Sequence, residues 1–372
     1  MNGGALPALL VGALYLSACG DTQQSALTAQ EIVEARVELG RYLFYDTRLS
    51  INEKRSCGIC HEQAKGFTDG FPRAVGATHD LLPRNTLSLS NVGTRERLLW
   101  ATTEPLTLKT QLFVPLLSTD PVEMGMGGGN ESLLFERLSA DADYRRRFSR
   151  AFPAEGGEIT LDTIADAIVA FEQTLLSDDA PFDQFQRGEI TEMTDAAARG
   201  MALFFGSRMN CYRCHSGPDF DSPAAANGEV TARHGAFNTG LFNVDQMGAY
   251  PEYDRGLIDH TGEPSDMGRF RTPTLRNVEL TGPYTHDGTI ASLEDMVRLY
   301  AAGGRDNESG PYIGDGRANP FKDPLITGFD ATELEIADVV AFLHSLTDEA
   351  FITNPALSNP FPTVDETDDG SP

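Results

Sequence analysis

Apolar residues along this chain recur at helical spacing in several stretches, and Gly/Pro-rich segments separate those stretches. The first helical pattern runs from Thr28 to Phe44. Thr28 followed three residues later by Glu31 forms a capping box, and Ile32, Val37, Leu39, Leu43 and Phe44 supply an apolar face. From Gly66 to Gly93, Gly, Pro, Asn, Thr and Ser dominate, which predicts loop. Helical patterns resume at 131–148 and 161–176, the latter with Ile164, Ile168, Phe171 and Leu175 on one stripe. A further helix is predicted over 195–205, carrying Ala197, Gly200, Leu203 and Phe204. Short ones follow at 292–300 and 331–345, separated by Gly/Pro-rich runs at 216–274 and 301–327. Little strand is expected.

Two of these helices lead into the same chemical signature. Four of the five cysteines fall into Cys57-Gly58-Ile59-Cys60-His61 and Cys211-Tyr212-Arg213-Cys214-His215. Cys-x-x-Cys-His is the attachment motif of c-type haem: both thiols bond to the porphyrin vinyl groups and the His coordinates iron. A thioredoxin-like redox pair does not need the trailing His, and a single zinc site would require the two distant motifs to converge. The segments before the motifs, Glu38-Leu39-Gly40-Arg41-Tyr42-Leu43-Phe44 and Ala198-Arg199-Gly200-Met201-Ala202-Leu203-Phe204, form an internal repeat. The expected fold is therefore mainly α, with two tandem cytochrome-c-like domains over 28–190 and 191–362, each holding one covalent c-type haem. The boundary falls near 178–194.

The fifth cysteine has a different setting. Residues Ala5 to Ala18 are apolar and small, too short to span a bilayer and shaped like the core of a signal peptide. They end in Leu16-Ser17-Ala18-Cys19, which looks like a lipoprotein cleavage box with Cys19 lipidated, although no Lys or Arg precedes the apolar core. Residues 1–19 are thus expected to be a lipoprotein-type signal, and the chain periplasmic, with a lipid anchor as its only membrane contact. With 55 acidic and 29 basic residues the formal charge is −26, which makes nucleic acid a poor partner. Residues 363–372 read as an acidic disordered tail.

Further motifs carry a resemblance. These are Trp100-Ala101 through Gln111-Leu112-Phe113-Val114-Pro115, Pro121-Val122-Glu123-Met124-Gly125, and Arg271-Thr272-Pro273-Thr274-Leu275-Arg276-Asn277 leading to Leu280-Thr281-Gly282-Pro283-Tyr284-Thr285-His286-Asp287-Gly288. Over nearly the whole mature chain the sequence resembles the bacterial dihaem cytochrome c peroxidase superfamily, within it the branch of MauG and MbnH. Many members place a Met fourteen residues after the His of His-Asp-Gly as a ligand of the second haem. Here that position is Tyr300, as in the MauG/MbnH branch, and Met296 one helical turn away is the competing ligand. A thioether favours Fe(II), whereas a phenolate favours high-valent iron.

The resemblance also implies roles for other residues. His61 is the proximal ligand of the peroxide-reactive first haem, and His215 with Tyr300 binds the second iron. Glu123 is the acid–base group for peroxide cleavage, with Gln111 and Pro115 shaping its pocket; a surface carboxylate is the bland alternative. Trp100, the only tryptophan, lies between the haems as an electron-hole relay. Asn85, Thr281 and Pro283 bind one calcium ion. The position where other members carry a distal His, eight before Asn85, is Ala77, with His79 close enough for a loop shift to deliver it. His286 reads as structural, and His234, His260 and His344 as surface or packing residues.

Three functions compete on this basis. One is a MauG/MbnH-like enzyme that uses hydrogen peroxide to reach a bis-Fe(IV) state and oxidises a residue of a partner protein. In MbnH-like proteins, the closer local match, that residue is a Trp of a small exported copper-associated partner, converted to kynurenine. The second is a peroxidase that reduces hydrogen peroxide with electrons from a small redox protein. The third, a plain electron carrier, has no use for Glu123.

Overall fold

The computed structural model describes residues 27–189, 193–223 and 235–361. The signal-like segment with Cys19, His234 and the acidic tail lie outside the described residues. The capping box forms as its sequence predicts. Thr28 Oγ1 accepts from the Glu31 amide at 3.2 Å, and the Glu31 carboxylate accepts from the Thr28 amide at 2.7 Å. The helix runs Ala29–Tyr45 and buries Ala35, Leu39, Gly40, Leu43 and Phe44.

Gly40 is where this helix crosses the Leu161–Glu172 helix. A Cβ built on Gly40 would stand 1.8 Å from the Ala167 carbonyl oxygen. The second half repeats the device. Gly200, on the Asp195–Phe204 helix, would carry a Cβ 1.8 Å from the Asp338 carbonyl oxygen of the Glu333–His344 helix. Only glycine lets the two backbones approach so closely. Around each crossing sits a core: Leu39, Phe44, Ile164, Ile168 and Phe171 in the first half, Phe204, Ile336, Val339 and Phe342 in the second. The fold is mainly helical, with two cytochrome-c-like domains. The described strands are two-residue pairs, Ala236–Phe237 with Phe270–Arg271 and Asp306–Asn307 with Gly314–Asp315, both antiparallel.

Two elements differ from the sequence expectation. The predicted helix over 131–148 is two, Glu131–Ala140 and Ala142–Ala151. Asp141 is extended between them, and its carboxylate caps the second helix by accepting from the Asp143 amide at 2.8 Å. Leu134, Leu138, Tyr144 and Phe148 are buried on both sides of the break, so the apolar pattern runs through it. Leu108–Leu117 is a helix although Pro115 lies inside it. Proline there removes the amide that would have bonded the Gln111 carbonyl.

Two asparagines join the halves. Asn91 Nδ2 donates to Asp219 Oδ1 at 2.6 Å and to the Ser177 carbonyl at 3.0 Å. Asn277 Nδ2 donates to Ser90 Oγ at 2.9 Å and Ser177 Oγ at 3.0 Å. Arg84 adds a two-pronged pair to Asp254, at 2.9 and 2.8 Å. Past the second core the chain returns to the first: Phe351 and Leu357 belong to that core, and Tyr45 donates its hydroxyl to the Leu357 carbonyl at 2.7 Å.

Candidate functional site

Each Cys-x-x-Cys-His motif is followed by the same small loop, closed by a bridge between Glu62 and Thr68 in one copy and Ser216 and Ser222 in the other. The loop fixes the histidine. His61 Nδ1 lies 2.9 Å from the Phe67 carbonyl oxygen, and His215 Nδ1 lies 2.8 Å from that of Phe220. A carbonyl only accepts, so Nδ1 carries the proton in both rings and Nε2 is the bare nitrogen that a metal needs. Burial holds both imidazoles below their usual pKa, hence neutral. The accepting phenylalanines have left-handed backbones, φ 61° and 54°. A bulky residue held there costs on the order of 1–3 kcal/mol, and in both copies the conformation aims a carbonyl at the histidine.

Cys57, Cys60, Cys211 and Cys214 are not joined in disulfides. Burial pushes Cys60 up to about 11 and Cys211 and Cys214 to about 12, so the bare thiols are protonated. Among the described residues no three or more His, Cys, Asp or Glu side chains converge as a metal site, which removes the single-zinc reading.

The second motif opens onto a cavity of about 230 Å³. Cys211, Cys214 and His215 line it together with Met296 and Tyr300 of the Leu293–Ala301 helix, and with Trp100. Both competing ligands thus reach the same cavity. Burial raises the Tyr300 phenol above its usual pKa, and the neighbouring Cys214 and Cys211 add to that shift. Trp100 is buried, donates Nε1–H to the Asn85 carbonyl at 2.8 Å and packs in one apolar cluster with Phe242, Tyr250 and Phe270, against which Tyr300 also lies. Asn85, Thr281 and Pro283 line the cavity too. The Asn85 amide nitrogen donates to the Phe71 carbonyl at 2.9 Å, and its backbone N–H donates to the His286 carbonyl at 2.7 Å. His286 is buried on the cavity wall, stacked on Phe270 at 3.6 Å, and burial lowers its pKa to about 4.

Near the first motif, Glu123 is clamped by its neighbours. The Val122 amide donates to Asp80 Oδ2 at 3.0 Å, the Met124 amide donates to the Pro115 carbonyl at 3.0 Å, and the Ala77 amide donates to the Glu123 carbonyl at 2.7 Å. Desolvation raises the Glu123 carboxyl, and its charge in turn raises Cys57 and Cys60. Its side chain is half-buried within electrostatic reach of the first Cys pair. Gln111 and Pro115 are half-buried on the helix whose Pro115 carbonyl anchors this segment. His79 is exposed at the tip of its loop, with φ 71°, while Ala77 is the residue turned inward. His260 and His344 are exposed as expected.

Comparison with known proteins settles the family. Residues 34–191 match the model described as di-haem cytochrome c peroxidase. Methylamine utilization protein MauG of Methylorubrum extorquens is 32% identical over 330 residues, covering 88% of this chain and 83% of that protein. The chain belongs to the di-haem cytochrome c peroxidase family. Cytochrome-c peroxidase IdrP1 of Denitromonas iodatirespirans is also 32% identical, over 84% of this chain and 81% of its own. Among solved structures, a MauG-like protein associated with microbial copper homeostasis superposes with TM-score 0.84 at 43% identity, over 88% of this chain and 94% of that one.

Members of this family are oxidoreductases with two haems, and the residues here fit that cofactor. Two neutral histidines present bare Nε2 atoms, each beside a pair of unlinked thiols, and the second pair opens on the cavity. Sequence reasoning missed several residues of the site. Arg271 donates to the Leu99 carbonyl at 3.2 Å and, through its amide, to the Trp100 carbonyl at 2.7 Å, so it holds the Trp100 backbone. Glu172 is fully enclosed, and desolvation lifts its pKa to about 8. A carboxylate on an apolar helical stripe beside Phe171 was the available signal for it. No helix among the described residues is long and apolar enough to cross a membrane.

Proposed function

We propose that this protein uses hydrogen peroxide to oxidise a residue of a partner protein, and that His61 would hold the first haem and His215 with Tyr300 the second. The observation that carries this reading is Tyr300, a half-buried phenol on the wall of the cavity that also holds Cys211, Cys214 and His215. The bound haems would supply the redox chemistry that accepts the two oxidising equivalents of peroxide. The chain's own residues do the rest. Glu123, whose pKa desolvation raises, takes a proton from one peroxide oxygen and delivers it to the other, which leaves as water. Gln111 and Pro115 hold the wall on which its segment is anchored. Ala77 offers only a methyl where a distal imidazole would block peroxide. Trp100 passes charge between the two halves.

Asn85, Thr281 and Pro283 supply oxygen donors suited to a calcium ion, because the Asn85 amide nitrogen is occupied by the Phe71 carbonyl and its oxygen is the free end. Elemental analysis of purified protein that finds no calcium removes that site. A small exported, copper-associated partner is the substrate favoured by the 43% identity to a protein associated with copper homeostasis. The proposed location is the periplasm, with Cys19 as lipid anchor.

The second reading, a peroxidase supplied with electrons by a small redox protein, draws on Met296, which lines the same cavity. Peroxide added to the fully ferric protein without reductant separates the two. The first reading expects both haem spectra to change and two oxidising equivalents to be recoverable. A requirement for prior one-electron reduction overturns it in favour of the second.

A further inference from the structure

Three groups of rings run through the molecule, and one differs in chemistry. The first core brings together mainly Phe44, Phe67, Phe171 and Phe351, with Tyr45 at its edge, and the second Phe182, Phe204, Phe220 and Phe342, with Tyr212 at its edge. Phenylalanine is not oxidised at potentials a haem reaches. The third group alternates phenylalanine with tyrosine and runs from the cavity wall to solvent. His286 on that wall lies 6.5 Å from Phe242 and 6.2 Å from Tyr250, ring centre to ring centre. Phe242 lies 5.3 Å from Tyr250 and 5.9 Å from Tyr312, and Tyr312 lies 5.8 Å from Tyr253. Tyr253 is 39% exposed, with the Arg73 guanidinium 4.8 Å over its ring. Trp100 and Tyr300 pack on the inner end of the same cluster.

We infer that Tyr312 and Tyr253 carry oxidising equivalents from the second cavity to the surface, and that the partner's oxidisable side chain, an indole or phenol, docks against Tyr253. This rests on the peroxide-driven reading above and gives that reading its exit. In each of two successive transfers one electron moves inward from Tyr253 through Tyr312 and the Phe242–Tyr250 contact. Tyr253 releases its phenolic proton to solvent and regains a proton when it takes an electron from the partner side chain. Two electrons and two protons complete the reduction of one hydrogen peroxide to two waters.

Phe242 and Tyr250 are buried and Tyr312 is half-buried, which leaves Tyr253 as the most exposed station of this route. Wild-type holoprotein, Tyr312→Phe, Tyr253→Phe and the remote control Tyr42→Phe are treated with peroxide in the presence of a nitroso spin trap, without partner or reductant. The haem spectra are followed, and trap adducts are mapped by peptide mass spectrometry. Each substitution removes only a hydroxyl, so the packing stays in place. The expected result is an adduct on Tyr253 in wild type and Tyr42→Phe, its loss in Tyr312→Phe, and slower decay of the oxidised spectrum in both relay variants. Undiminished labelling of Tyr253 in Tyr312→Phe, or no Tyr253 adduct in wild type while the oxidised spectrum forms, overturns the relay. Failure of the wild-type spectrum to change with peroxide overturns the underlying reading, and the relay falls with it.

Discussion

Ala77 donates its backbone N–H to the carbonyl of Glu123 at 2.7 Å, locking the loop of the would-be distal ligand onto the segment of the proposed catalytic acid. Next to it Gly76 packs so tightly that a Cβ would stand 1.8 Å from the Val122 carbonyl oxygen. Backbone-to-backbone contact on this scale leaves the loop one register. In that register Ala77 points inward and His79 faces solvent. A loop shift that brought His79 inward would break both contacts.

Glu123→Gln should therefore retain both haems and slow the reaction with peroxide by about a hundred- to ten-thousand-fold, the usual worth of a positioned acid–base group. The side chain's volume and the backbone bonds that hold it are unchanged by this substitution. Rapid mixing of ferric protein with peroxide gives the rate directly. A variant within a few-fold of wild type removes Glu123 from the mechanism.

The helix crossings make a second prediction. Gly→Ala within a helix ordinarily stabilises by about 1 kcal/mol. At Gly40 and Gly200 the new methyl would meet a backbone carbonyl at 1.8 Å, which no rotamer change relieves. Forced overpacking costs about 1–3 kcal/mol or more, so Gly40→Ala and Gly200→Ala should each lower stability to urea. Both variants unfolding at or above the wild-type midpoint would show that the crossings are looser than this.

Helix caps, the two haem motifs and the repeat were legible in the sequence because each is local chemistry: Thr28 with Glu31, Cys-x-x-Cys with His, Gly40 echoed by Gly200. What lay beyond reach is non-local. Nothing near Asp141 signals a helix break when Leu138 and Tyr144 continue the apolar face. Pro115 concealed a helix, because its missing amide is tolerated where the Gln111 carbonyl can go without it. The burial of Glu172 follows from packing of a whole domain, and Tyr253 and Tyr312 meet only through loops joined in space. Tyr300 and Met296 sit one turn apart on the same cavity, so placement alone does not separate them, and only the fourteen-residue spacing from His286 favours Tyr300.

Glu172 supplies a test of burial by pH. Its carboxyl is raised from 4.5 to about 8 by desolvation. Between those values the folded chain holds a proton that the unfolded chain has released. Stability from this group is thus full below about pH 4.5 and is lost as pH rises to about 8, with a slope of at most about 1.4 kcal/mol per pH unit. Glu172→Gln keeps the shape and stays neutral, so its stability relative to wild type should grow from pH 5 to pH 8. Urea unfolding of both proteins at several pH values measures the difference, and a constant offset would mean that Glu172 is ionised or hydrated in the fold.

The ligand of the second haem is decided by a crossed pair of substitutions on the Leu293–Ala301 helix. If Tyr300 binds the iron, Tyr300→Phe changes the second haem's absorption and magnetic spectra while Met296→Leu leaves them as they are. The converse pattern assigns the ligand to Met296 and with it the electron-fed peroxidase. Tyr300→Met should raise the potential of that haem, because a neutral thioether replaces an anionic oxygen. It should also abolish oxidation of the partner protein while peroxide is still consumed when an electron donor is supplied. The separation of these two activities is the informative result. A residue that merely packed against the cofactor would lower both together, whereas a ligand that sets the potential removes only the reaction that needs a strongly oxidising second centre.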